Sequence, residues 1–146
     1  ENNGSGSVTL HYDHDGYANY AYLFLADGTA TEHIVFEDPL TAVSPDGEGD
    51  FDFAADASGS GTYVDRYDDG SAYTADYLFR STYFDDMHWT YDLAESPIPL
   101  DTEGHLYYHP DRSGTGDYTK YEESGSVEAC EYSFDANGTV LELTCN

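Results

Sequence analysis

The sequence predicts an all-β domain, an antiparallel meander of about eleven strands closing into a barrel or folding into a two-layer sandwich. Three observations predict it. Apolar and aromatic residues alternate with a period of two, as in half-buried strands. Asp-Gly and Asn-Gly turn signals separate the alternating runs. A block of 55 residues recurs, so that Gly4-Ser5-Gly6 returns as Gly59-Ser60-Gly61 and, altered, as Gly114-Thr115-Gly116. Neither a heptad nor a capped apolar stripe marks a helix.

Within the first copy, SVTLHYD alternates Val8, Leu10 and Tyr12 on one face. DHDG signals a turn, and ANYAYLFL is the second strand. Asp27-Gly28 suits a two-residue type I′ hairpin loop, which needs positive φ angles. ATEHIVFE follows as the third strand. A long loop carrying Pro39 and Pro45 leads to GDFDFA, with Phe51 and Phe53 on one face. The second copy repeats the plan, with Pro97 and Pro99 in its long loop and HLYYH as its fourth strand. The third copy stops after three strands. The expected organisation is a flexible tether over residues 1–7 and one β domain over 8–146, in units 4–58, 59–113 and 114–146.

Composition places limits on partners. Thirty acidic residues face four basic ones, for a formal net charge of −26. Nucleic acid is a polyanion and would be repelled, as would an anionic membrane surface. No apolar run reaches the roughly 18 residues of a membrane span. Leu, Ile, Val and Phe make up only about 17% of the chain, a level that with this charge usually means disorder. The fifteen Tyr answer that objection, because they are placed periodically and each can bury a large ring. A chain so charged repels itself in dilute buffer, so it reads as adapted to saline or cation-rich surroundings. Its first residue, Glu1, reads as a processed or truncated start.

Cys130 and Cys145 stand symmetrically about Asn137-Gly138. A two-residue loop there sets Phe134 opposite Leu141, Tyr132 opposite Leu143 and Cys130 opposite Cys145. The expected product is a cross-strand disulfide, close to the reach of opposed Cβ atoms. In that register the pair falls at a hydrogen-bonded site, where Cα atoms stand wider apart, and a bulged turn shifts the register by one. A structural disulfide implies a secreted, periplasmic or cell-surface setting.

Candidate sites are few. Asp13, Asp15, Asp68 and Asp69 lie in equivalent acidic turns and are candidate Ca²⁺ ligands, since that ion takes several oxygens; Asp and Gly also form turns for their own sake. The Tyr-Asp-x-Asp-Gly phrase at Tyr12 to Gly16, with FDANGTVLE, resembles the short YD-type repeats of bacterial surface and toxin-shell proteins, a likeness of hairpin chemistry that implies no activity. His33 and His88 occupy equivalent positions, opposite Tyr22 and Tyr77 in the two-residue-loop register, and the third copy has Leu143 there, which suggests aromatic packing, with metal binding as the alternative. His105 and His109 lie too far apart along a strand for one ion. Trp89, Tyr91 and Tyr107 are candidate sugar-stacking residues. No nucleophile, phosphate-loop or zinc-protease motif is present.

The function expected from these features is a non-enzymatic extracellular structural or interaction protein, a subunit of a surface layer or filament that self-assembles through strand edges. Alternatives are a secreted module binding polysaccharide and a secreted acidic hydrolase using a carboxylate pair.

Overall fold

The computed structural model describes residues 3–12, 16–80 and 83–146, the side chains of 83–85 excepted. Among them the chain forms eleven antiparallel strands in a single sheet, ordered as in the sequence. The strands are β1 Gly4–His11, β2 Tyr17–Phe24, β3 Ala30–Glu37, β4 Gly47–Phe53, β5 Gly59–Arg66 and β6 Ala72–Arg80. They continue as β7 Tyr83–Asp92, β8 Thr102–Tyr108, β9 Gly114–Tyr121, β10 Val127–Phe134 and β11 Val140–Cys145.

The sheet closes into neither a barrel nor a sandwich. Each strand contacts only its neighbours in sequence, and β1 and β11 do not meet. The accessible surface is 9094 Å², against about 7,400 Å² expected of a compact monomer of this mass. One layer suffices because the rings of one face pack on the sheet itself. β1, β5 and β9 open with Gly-x-Gly, and rings from neighbouring strands lean over Gly6, Gly61, Gly114 and Gly116. Phe51 of β4 and Tyr77 of β6 both stand beside Gly61, and their rings meet across it at 5.8 Å. Tyr108 and Phe134 meet at 5.3 Å across Gly114. Strands two apart are roughly 9.6 Å distant, so these rings must lie down to touch. Such pairs add about 0.5–1.5 kcal/mol each beyond their area. Ala18, Phe51, Ala75, Met87, Cys130 and Phe134, the buried apolar residues, all belong to this aromatic face.

The N-terminal segment departs from the tether expected over residues 1–7, because β1 starts at Gly4 and pairs with β2 from Gly4↔Phe24 onward. The hairpin loops also differ from expectation. In the β2–β3 loop the amide of Leu25 donates to the Thr29 carbonyl and that of Gly28 to the Leu25 carbonyl, with Gly28 at φ +88°. This is a type I turn followed by a left-handed residue rather than a two-residue type I′ loop. The same pattern recurs at Ala57, Gly70, Arg112, Gly125 and Gly138, all with positive φ. The extra residue moves the register by one, which turns a strand over. Tyr22 therefore opposes Glu32 and Tyr77 opposes Met87, while His33 and His88 lie on the other face, opposite Ala21 and Asp76.

The terminal hairpin begins with the same loop and then restores the expected register through a bulge. Phe134 pairs with Val140 rather than Leu141; beyond the shift at Ser133/Phe134, Tyr132 opposes Leu143 and Cys130 opposes Cys145. Ala129 and Asn146 exchange backbone hydrogen bonds, so the neighbouring cysteines occupy the narrow, non-hydrogen-bonded kind of site. Their Cα atoms are 4.1 Å apart and their sulfurs are joined in a disulfide.

Candidate functional site

The face opposite the rings is polar, and it gathers most of the strand carboxylates. Because the register is continuous, single rows run straight across the strands. One row reads His33, Asp50, Thr62, Asp76, His88, His105, Asp117 and Glu131, from β3 to β10. Every histidine in it faces a carboxylate. His33 Nδ1 is 2.8 Å from Asp50 Oδ1, His88 Nδ1 is 3.8 Å from Asp76 Oδ2, and His105 Nδ1 is 3.2 Å from Asp117 Oδ1. His88 and His105 oppose each other directly, with ring centroids 4.8 Å apart. Glu103, two residues before His105 on the same face, brings Oε2 to 3.9 Å from His88 Nε2. Its Oε1 accepts a 2.5 Å hydrogen bond from the Tyr121 hydroxyl, which fixes the carboxylate and raises the phenol pKa. All three side chains are more than a third open to solvent or close to it (38%, 39% and 34%).

Beside this row a groove of about 470 Å³ runs past Tyr107, Asp117, Glu131, Glu142 and Thr144. Asp117 and Glu131 are directly opposed like charges, an arrangement that costs stability unless a cation or His105 relieves it.

The sequence-derived candidates separate. Trp89 and Tyr91 lie on the aromatic face; Trp89 rests on Gly104, 2.6 Å from where a Cβ there would stand, and stacks on Tyr73 at 6.2 Å. Tyr107 lies on the polar face, stacked on His105 at 6.0 Å. No single site therefore holds all three. Asp13 and Asp15 fall outside the described residues. Asp69 accepts hydrogen bonds from the Ser71 hydroxyl and amide, which hold its pKa down. Asp68 accepts from the amides of Ala42 and Val43 and ties the first long loop to the β5–β6 hairpin. Among the described residues one trio of donors already converges, Glu128 with Cys130 and Cys145, but both of its sulfurs are spent in the disulfide.

Two buried carboxylates escaped the reading of the sequence as pins. Asp46 accepts from the Asp38 amide and the Thr41 hydroxyl, and its carbonyl accepts from the Arg66 amide. Asp101 does the same work in the second long loop, accepting from the Leu93 amide at 2.7 Å while its carbonyl accepts from the Tyr121 amide. Their separation of 55 residues, each at the end of a Pro-containing loop, was the available signal. The His88–His105 pair carried none, since their opposition depends on how a nine-residue loop sets the β7–β8 register.

Compared with protein-family models, with curated proteins and with solved structures, the chain finds no match. Among the described residues no helix is long and apolar enough to cross a membrane.

Proposed function

We propose that this chain is a non-catalytic interaction module of a structural protein outside the reducing cytosol, joining other chains through its strand edges and cations through its polar face. The observation that carries the reading is the open, single-layer sheet, in which β1 and β11 are each paired on one side only. An unpaired strand edge is a template for another strand. All eight residues of β1 and all six of β11 are exposed, including Val8, Leu10, Val140 and Leu143 on the aromatic face. Strand starts at Gly4, Gly59 and Gly114 agree with a 55-residue building unit, the kind of modular design that extends by adding copies. The disulfide supports a secreted, periplasmic or surface location.

The charge supports a saline or cation-rich setting. At 1 M salt the screening length falls to roughly 3 Å, and the −26 charge stops opposing both folding and association. Light scattering and negative-stain imaging in dilute buffer, high NaCl and millimolar Ca²⁺ test the reading. Ordered assemblies that appear on screening, and that Val8→Lys with Leu10→Lys suppresses, are the expected result. Monomers under every condition, with one melting temperature throughout, would refute it.

A second reading, polysaccharide binding, draws on the stacked Tyr73–Trp89 pair and neighbouring Tyr91 on the aromatic face. Trp89→Ala should then abolish retention on a glycan array that the parent chain binds. Equal binding by both chains removes this reading.

A further inference from the structure

We infer that the polar face holds a specific site for a borderline transition-metal dication such as Zn²⁺, Ni²⁺ or Cu²⁺, built on His88 and His105 with Glu103 as third ligand. The register sets the two imidazoles directly opposite each other on neighbouring strands. An ion about 2.0–2.1 Å from a ring nitrogen stands about 3.2 Å from that ring's centroid, so two imidazoles on one tetrahedral ion have centroids about 5.2 Å apart. The observed 4.8 Å is near that value.

The surroundings complete the argument. Asp76 and Asp117 flank the pair on β6 and β9 and face Nδ1 of His88 and His105 respectively. A carboxylate hydrogen-bonded to one ring nitrogen fixes the tautomer and makes the other nitrogen the better ligand. Asp117, 3.2 Å from His105 Nδ1, does this for His105, whereas Asp76, at 3.8 Å, only faces His88. The row thus reads carboxylate, imidazole, imidazole, carboxylate. Glu103 Oε2 already stands 3.9 Å from His88 Nε2. Glu103 Oε2 is left for the ion while Oε1 holds the Tyr121 hydroxyl, and both imidazoles are partly exposed and have room to turn. Two nitrogens and one carboxylate select Zn²⁺, Ni²⁺ or Cu²⁺ over Ca²⁺ and Mg²⁺, which prefer oxygen. His33 provides an internal comparison: it has its own carboxylate, Asp50, but Ala21 and Asp50 as cross-strand neighbours rather than a second histidine.

Titration calorimetry with ZnCl₂, in high NaCl and excess Ca²⁺ to occupy the general carboxylate surface, tests the site. One saturable Zn²⁺ per chain is expected. His88→Gln and His105→Gln should each weaken it at least tenfold, the double variant should abolish it, and His33→Gln should leave it unchanged. Asp117→Asn should weaken it about tenfold by releasing the His105 ring, which Asp117 holds at 3.2 Å. On the unsubstituted protein, Zn²⁺ should shift the ring resonances of His88 and His105 and not those of His33. Saturable binding that survives the double substitution, shifts spread evenly over all histidines, or no stoichiometric binding would overturn the assignment. None of these outcomes bears on edge assembly, which is read by scattering.

Discussion

Phe51 lies with its ring directly on the backbone of Gly61, on the neighbouring strand, so that a Cβ at Gly61 would collide with the ring. The glycine is a seat for the aromatic core, and its φ is not the reason for it. Gly61→Ala should therefore cost about 1–3 kcal/mol through overpacking, measured by urea unfolding. Gly4→Ala, where nothing lies within 4 Å of the new Cβ, should change stability by no more than about 0.5 kcal/mol. Equal effects at the two sites would contradict this account of the single-layer core.

The terminal ribbon depends on its disulfide more than on packing, since every residue of β11 is exposed. Replacing Cys130 and Cys145 together by Ser should cost about 3 kcal/mol in the chain-entropy model. Hydrogen exchange should show β10–β11 amides losing protection first, while β5–β8 amides keep theirs. Uniform loss across the sheet would mean the bridge stabilises the whole fold rather than its end.

Asp46→Ala and Asp101→Ala each strip a buried acceptor from the first amide after a strand. Each should cost about 1–3 kcal/mol, with faster exchange at the Asp38 amide in the first case and the Leu93 amide in the second. Asn at either position keeps an acceptor oxygen and should cost less. Unchanged exchange at Asp38 or Leu93 would refute the role.

Stability should fall at both pH extremes, for opposite reasons. Asp56, Asp69 and Asp111 are held below the ordinary carboxylate range first by the hydroxyls of Ser58, Ser71 and Ser113, and Asp27 and Asp135 first by the amides of Thr29 and Thr139. A lowered folded pKa gives stability that is present above the unfolded value, near 3.9, and is lost as pH falls through the lower folded value. Asp65, raised by burial, works weakly the other way. On the alkaline side, burial pushes Tyr73 up to about 12 and also raises Tyr63 and Tyr77. Their contribution is complete below the unfolded value near 10 and is lost as pH rises through the folded one. Tyrosinate absorbance should rise together with loss of sheet structure above about pH 10. Tyrosines that ionise freely in an intact sheet would sink the prediction.

The amino-acid sequence by itself determined the strands, their two-faced alternation and the partner of each cysteine. These follow from the period of two and from turn residues, which act over a few positions. Tyr132 opposite Leu143 and Cys130 opposite Cys145 match the expected register because the bulge at Ser133/Phe134 offsets the extra loop residue. Only the tertiary structure decided which face His33 and His88 occupy, because one additional loop residue reverses a strand and Asp27-Gly28 is compatible with either loop. Only the tertiary structure decided that the sheet stays open. Paired rings above Gly61 and Gly114 bury one another across a strand, and that burial is a relation between residues distant in sequence. The opposition of His88 and His105 arises in the same way, since it exists only once β7 and β8 are laid side by side.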